Sequence, residues 1–172
     1  NDNFNSLESV KNPYKIKAIS SNISLDRFYS NQDELKIINE LIELSDPTKI
    51  EPTIFVWPEG IIPDSYLRDM SGYKNLFLNN FGEDDLIIVG LNSREKKNNK
   101  NLFYNSMAIF NNKLDIIANY NKVNLVPFGE FIPFENILSS IGLKTITNSY
   151  QSFSSGESRV SLNVKNSKID LN

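Results

Sequence analysis

Apolar and charged residues alternate from Tyr14 to Ser20, the spacing of a half-buried strand. Ser30, with Asp33 three residues on, resembles a capping box, and Leu35, Ile38, Leu41 and Ile42 follow at helical spacing up to Leu44. Thr53-Ile54-Phe55-Val56-Trp57 is a short, wholly apolar run rich in β-branched and aromatic residues, which predicts a strand buried on both faces and ending at Pro58-Glu59-Gly60. Met70, Tyr73, Leu76 and Phe77 predict a second helix, closing near Gly82 as a left-handed C′ residue. Leu86 to Leu91 reads as another buried strand. Leu102 to Phe110 and Leu114 to Tyr120 read as strands joined by a turn at Asn111-Asn112-Lys113. A weak helix near Phe134 to Ile141 and strands near Val160 to Val164 and Lys168 to Leu171 complete the pattern. The succession of strand, helix, strand, helix, strand and hairpin predicts an α/β layered fold.

One stretch breaks this regularity. Residues 119–136, NYNKVNLVPFGEFIPFEN, carry Lys122, a run of large apolar residues, two prolines and a carboxylate, Glu130. Prolines exclude both a regular helix and a central strand here, so an apolar loop is expected.

Composition narrows the chemistry. The 172 residues, 40% hydrophobic and 23% charged, suffice for one domain or part of one. There is no cysteine and no histidine, which excludes thiol nucleophiles, disulfides, Cys or His zinc sites and Ser-His-Asp triads within these residues. With a net charge of -3, no nucleic acid partner is expected, because phosphate binding needs a clustered basic surface. The one basic cluster, Arg94 to Lys100, is interleaved with asparagine and reads as a loop tip. No apolar run approaches the roughly 18 residues of a membrane span. No cofactor or metal is implied.

Glu59 leaves an apolar strand at its carboxyl end, where open α/β sheets bind ligands, and desolvation beside Trp57 would tune it as a general acid or base. The alternative is an exposed turn glutamate. Lys122, where a strand runs out, could donate to a developing oxyanion or be an ordinary surface lysine. Glu130, between Gly129 and Phe131, is either drawn inward by its neighbours or left on the rim of the loop. Asn105 and Ser106 interrupt an apolar strand and need partners there. Ser106 with Lys122 as its base is a further arrangement that nothing in the spacing singles out.

Together these segments occur in a recognisable order. Trp57-Pro58-Glu59-Gly60, Tyr104-Asn105-Ser106, Tyr120-x-Lys122-x-x-Leu125-Val126-Pro127-Phe128-Gly129-Glu130 and Pro133-Phe134 closely resemble the nitrilase-like (carbon-nitrogen hydrolase) domain of the apolipoprotein N-acyltransferases. Asn22-Ile23 and Phe153-x-x-Gly156 also fit, so the resemblance runs from about Tyr14 onward. It implies an α-β-β-α sandwich and a Glu-Lys-Cys site. Glu59 would be the general base, Lys122 the oxyanion-stabilising lysine and Glu130 an additional carboxylate on the loop over the site. It also implies partners: a phospholipid acyl donor, a diacylglyceryl apolipoprotein acceptor, and a membrane, with the catalytic domain on the periplasmic face of a bacterial inner membrane.

The resemblance departs at Tyr29, where the family would have tryptophan, and at the nucleophile, a cysteine expected beyond Asn172. The chain is therefore expected to be a sandwich incomplete at its C-terminus and inactive alone. Residues 1–13 would form a lead-in from a preceding membrane segment, and residues 14–172 the N-terminal part of the catalytic domain. A soluble amidase of the same superfamily and a non-catalytic lipid- or peptide-binding domain of the same fold are the competing readings. On the acyltransferase reading, Val126 to Phe134 is a loop stiffened by Pro127 and Pro133, flexible at Gly129, and apolar because it works among acyl chains.

Overall fold

The structure is a computed structural model that describes residues 14–20, 34–62, 66–134, 140, 152–159, 164–166 and 169–171, the last two segments in backbone only. The predicted capping box at Ser30 and Asp33, the Asn22-Ile23 and Tyr29 positions, the lead-in 1–13 and most of the predicted helix at 134–141 lie outside these residues. So does much of the predicted strand at 160–164.

Five strands form one sheet in sequential order: β1 (Lys15–Ala18), β2 (Thr53–Val56), β3 (Leu86–Lys97), β4 (Lys100–Asn111) and β5 (Ile116–Asn121). β1, β2 and β3 run parallel, while β3, β4 and β5 are antiparallel. Helix α1 (Glu34–Ser45) connects β1 to β2. A 3-10 turn (Asp69–Tyr73) leads into α2 (Lys74–Asn80) ahead of β3. Two short strands, β6 (Val164–Asn166) and β7 (Ile169–Leu171), pair antiparallel. The α/β class read from the pattern is borne out.

Both helices cover one face of the sheet. α1 turns Ile37, Ile38, Leu41 and Ile42 inward at helical spacing, and they meet Phe55, Trp57, Ile87, Val89, Ala108 and Phe110 from alternate positions of β2, β3 and β4. Phe77 and Phe81 stack at 5.3 Å, and Trp57 lies 5.6 Å from Phe77. The buried indole N–H of Trp57 donates to Ser45 Oγ at 2.9 Å, and Ser45 Oγ donates in turn to the Leu41 carbonyl at 2.6 Å. Buried Asp85 accepts from the backbone N–H groups of Thr53 (2.9 Å) and Gly82 (2.7 Å), tying the start of β2 to the loop before β3. The opposite face is thinner: Tyr14, Ile54, Leu86 and Ile109 are buried, while Met107 and Ile116 are exposed among the described residues.

Three expectations need correction. Gly82 does not close α2 in a left-handed conformation, because the helix ends at Asn80, Phe81 is extended, and the Asp85 carboxylate takes the Gly82 N–H. Arg94 to Lys100 is not a loop: β3 runs to Lys97, β4 starts at Lys100, and only Asn98 and Asn99 turn, with φ of 51° and 62°. Two successive asparagines tolerate the left-handed region that a two-residue hairpin turn demands, so the ladder continues to the tip. Finally, β1 forms as expected but is not half-buried, since Ile16 is 62% exposed at the edge of the sheet.

Candidate functional site

At the carboxyl ends of β2 and β5 the structure brings Glu59, Lys122 and Glu130 together. β2 is prolonged past Val56 by the Trp57 N–H, which donates to the Ile88 carbonyl at 2.8 Å, and the chain then crosses β3 at Glu59 and turns away at Gly60 (φ 62°). Gly90 of β3 lies directly beneath: a Cβ there would sit 2.9 Å from the Glu59 Cα. Lys122 follows β5, and its N–H donates to the Asn105 carbonyl at 2.8 Å, extending the β4–β5 ladder by one bond.

The Lys122 ammonium donates to Glu130 Oε1 at 2.9 Å and lies 3.8 Å from Glu59 Oε1. Asn105 Nδ2 sits between the two carboxylates, donating to Glu59 Oε1 at 2.8 Å and to Glu130 Oε1 at 2.5 Å. The two carboxylates differ in their setting. The Glu130 side chain is 12% exposed and Glu59 is 66% exposed, so the desolvation expected for Glu59 beside Trp57 is not present. Trp57 points into the helix-covered core while Glu59, past the end of β2, lies over Gly90 of β3 with its side chain open to solvent.

Burial pushes the Glu130 carboxyl up, but hydrogen bonds from the Val126 N–H (2.7 Å), Lys122 and Asn105 outweigh it and hold the group below its ordinary value. The hydrogen bond to Glu130 and the charge of Glu59 raise Lys122 above its ordinary value, against the effect of burial. At neutral pH Lys122 is therefore an ammonium set against an ionised, enclosed Glu130 carboxylate, and the Glu59 side chain beside them lies open to solvent.

The loop after Lys122 is fixed at its middle. Glu130 N–H donates to the Val126 carbonyl at 2.8 Å while the Glu130 side chain takes the Val126 N–H, closing a reciprocal turn. Left-handed conformations fall on Phe128 (φ 61°) and Phe134 (φ 56°) rather than on Gly129, so the chain turns through Phe128. Val126, Phe128 and Phe134 are exposed, Phe128 by 74%. Residues 152–159 form a strap across the site. Phe153 N–H donates to the Glu130 carbonyl (2.8 Å), Ser154 N–H to Phe103 (2.6 Å), Gly156 N–H to Lys122 (2.9 Å) and Ser155 Oγ to Val123 (2.7 Å).

Ser106 belongs elsewhere. It is buried, its hydroxyl donates to Asn121 Oδ1 at 2.7 Å and lies 2.8 Å from Ser93 Oγ, and the Ser-Lys arrangement is not formed. Beside the cluster lies a cavity of about 270 Å³ with Val56, Ile88, Met107 and Tyr120 among its lining. Another, of about 220 Å³, lies against Ile62, Leu91 and Phe153, and Glu59, Gly90 and Asn105 border both.

Sequence reasoning selected Glu59, Lys122 and Glu130, which meet, and marked Asn105 only as a polar strand residue in need of partners, which it finds in the two carboxylates. It gave no role to Gly90, although a lone glycine inside a strand is itself a signal of close backbone approach. Nor did it show that Phe153 to Gly156 acts as a strap, because those bonds are made by backbone groups that leave no trace in residue type.

Comparison with known proteins agrees with the motifs. No family model matches the chain. Over 166 residues, 92% of this chain and 31% of the relative, it is 26% identical to an apolipoprotein N-acyltransferase of Brucella suis. Over 110 residues, 63% of this chain and 20% of the relative, it is 34% identical to one of Rhizobium rhizogenes. The chain is similar to part of the apolipoprotein N-acyltransferases. It spans about a third or less of the length of these curated relatives. Among solved structures, a carbon-nitrogen hydrolase from Helicobacter pylori matches with a TM-score of 0.38 and 15% identity, over 66% of this chain and 40% of that one. An N-terminal amidase with an Asn-Glu-Ala peptide matches with a TM-score of 0.40 and 17% identity, over 64% and 28%. The curated relatives bear out the resemblance read from the motifs.

Proposed function

We propose that these residues are part of an apolipoprotein N-acyltransferase and carry two of the three groups its chemistry requires. The observation that supports this most directly is the Lys122 ammonium held between Glu130 at 2.9 Å and Glu59 at 3.8 Å. Glu59, open to solvent, is the general base. It takes the proton of a cysteine thiol that the complete polypeptide supplies outside these 172 residues.

The thiolate attacks the acyl ester carbonyl of a phospholipid, the proton passes to the departing lysophospholipid oxygen, and a thioester remains. The free α-amino group of a diacylglyceryl-cysteine then attacks that thioester, forming the amide and regenerating the thiol. Both steps pass through a tetrahedral oxyanion, and Lys122 is the fixed donor for it. Glu130 and Asn105 hold the ammonium and Glu59 in register. The exposed Val126, Phe128 and Phe134 suit a loop that works against acyl chains at the periplasmic face of an inner membrane. No helix of the described residues is long and apolar enough to cross a membrane.

The test is intact-mass analysis of the complete polypeptide in phospholipid. An acyl-sized adduct labile to hydroxylamine is expected in the parent, and one that forms far more slowly in Lys122→Ala and Glu59→Gln. Hydrolysis of small amides with no adduct would instead establish the amidase reading, and a folded protein with neither property would establish a binding domain.

A further inference from the structure

Gly90 is in the middle of β3, opposite Met107 of β4, with Val89 and Leu91 on either side buried in the core. A glycine there weakens a strand, since it adds backbone entropy to the unfolded chain and packs nothing. Its backbone does not require glycine, because among the described glycines only Gly60 has a positive φ. Space is the remaining reason. A Cβ at position 90 would lie 2.9 Å from the Glu59 Cα, 3.2 Å from its Cγ and 3.3 Å from its Cβ.

We infer that Gly90 is a positioning residue for Glu59: the side chain it lacks is the space through which the Glu59 main chain crosses β3, and that crossing sets the carboxylate on Asn105 and beside Lys122. The closest contact is main chain, which cannot swing aside as the end of a flexible side chain would. Glu59 is also gripped on both sides. Pro58 precedes it, Trp57 is buried and bonded to the Ile88 carbonyl at 2.8 Å, and Gly60 turns the chain immediately after. Carbon atoms pack at about 3.5 Å or more, so an added methyl displaces Glu59 by about half an ångström. That is the tolerance within which a catalytic group must be held. The same methyl would stand between the two cavities that Glu59, Gly90 and Asn105 border.

The role rests on the reading of Glu59 as the base, and the experiment separates the two. Acyl-enzyme formation is followed in the complete polypeptide for the parent, Gly90→Ala, Glu59→Gln and the double variant, with Gly72→Ala as control, because nothing lies within 4 Å of a Cβ at Gly72. Gly90→Ala is expected to keep a cooperative melt, to slow the maximal rate about 10- to 100-fold, and to leave half-saturating donor within about twofold. Gly72→Ala should match the parent. In the Glu59→Gln background, Gly90→Ala should cost nothing more, since the group through which it acts is already lost. A structure of Gly90→Ala should show Glu59 Oε1 out of reach of Asn105 Nδ2.

Parental rates in Gly90→Ala, a further loss in the double variant, an intact Glu59–Asn105 bond, or failure of Gly90→Ala to fold would each overturn the inference, the last because the glycine would then serve the whole core. A parent that forms no acyl-enzyme would sink the acyltransferase reading instead, and the structure of Gly90→Ala would still decide the role of Gly90.

Discussion

The helix-covered face of the sheet and the cluster at its strand ends are built on different principles. On the first, Phe55, Phe77, Phe81 and Phe110 are almost wholly enclosed, and their contacts come from positions that repeat every two residues in strands and every three or four in helices. At the second, one ammonium, two carboxylates and one amide are drawn from β4 and from the segments after β2 and β5. Area holds the first together, whereas a few individual hydrogen bonds and ion pairs, most of them between side chains, hold the second. The core should therefore tolerate changes of polarity badly and pH changes well, whereas the cluster should be sensitive both to loss of a charge and to pH.

The largest expected effect lies in the core. Phe77→Ala removes a ring packed on Trp57 and Phe81, and should lower stability by about 3–5 kcal/mol in denaturant titrations, with little dependence on pH. A loss under about 1 kcal/mol would mean that this face of the sheet is loosely packed.

Next comes Glu130→Gln, expected to cost about 2 kcal/mol near neutrality because a charged acceptor of three donors becomes neutral. Its sign with pH is set by the lowered folded value. The contribution is fully present above the ordinary carboxylate range, about pH 4.3, and is lost as pH falls through the folded value. Stability curves of parent and variant should therefore converge in acid. Parallel curves would show that the carboxylate is not held as described. Lys122 behaves oppositely: its contribution is full below about pH 10.4 and lost as pH rises through its raised folded value, so Lys122→Met should flatten the alkaline limb.

A smaller stability effect is expected at the exposed loop. Phe128→Ser and Phe134→Ser should change stability by less than about 0.5 kcal/mol, yet slow acyl-enzyme formation from bilayers about threefold or more while sparing a short, water-soluble donor. Equal rates from both donors would remove the lipid-facing role. At the hairpin, Lys97 and Glu157 are 3.1 Å apart with both side chains mostly in water, and Lys97→Ala should leave the melting temperature unchanged.

The contrast also explains what could be read in advance. The strands at 53–57, 86–91 and 102–110 and the helix ending near 44 were legible because apolar periodicity reports which face is buried, wherever the partner surface comes from. Gly82 and the Arg94 to Lys100 segment were misread because each residue type has two uses. A glycine can end a helix or simply offer its N–H to Asp85, and an asparagine pair can fill a loop or the two left-handed positions of a tight hairpin. The exposure of Glu59 was unreadable for a related reason. Neighbours in sequence, Trp57 and Glu59, part company where the strand ends.

By itself, the sequence determined the α/β class, the absence of thiol and imidazole chemistry within these residues, and the motif order that points to Glu59, Lys122 and Glu130. These depend on residue type and spacing, which the chain carries wherever it goes. Only the tertiary structure decided that Asn105 bridges both carboxylates, that Glu130 and not Glu59 is the enclosed one, and that Gly90 leaves room for the crossing that seats Glu59. Those facts are distances between segments 25 to 46 residues apart, set by strand register and backbone bonds, and no local pattern encodes them.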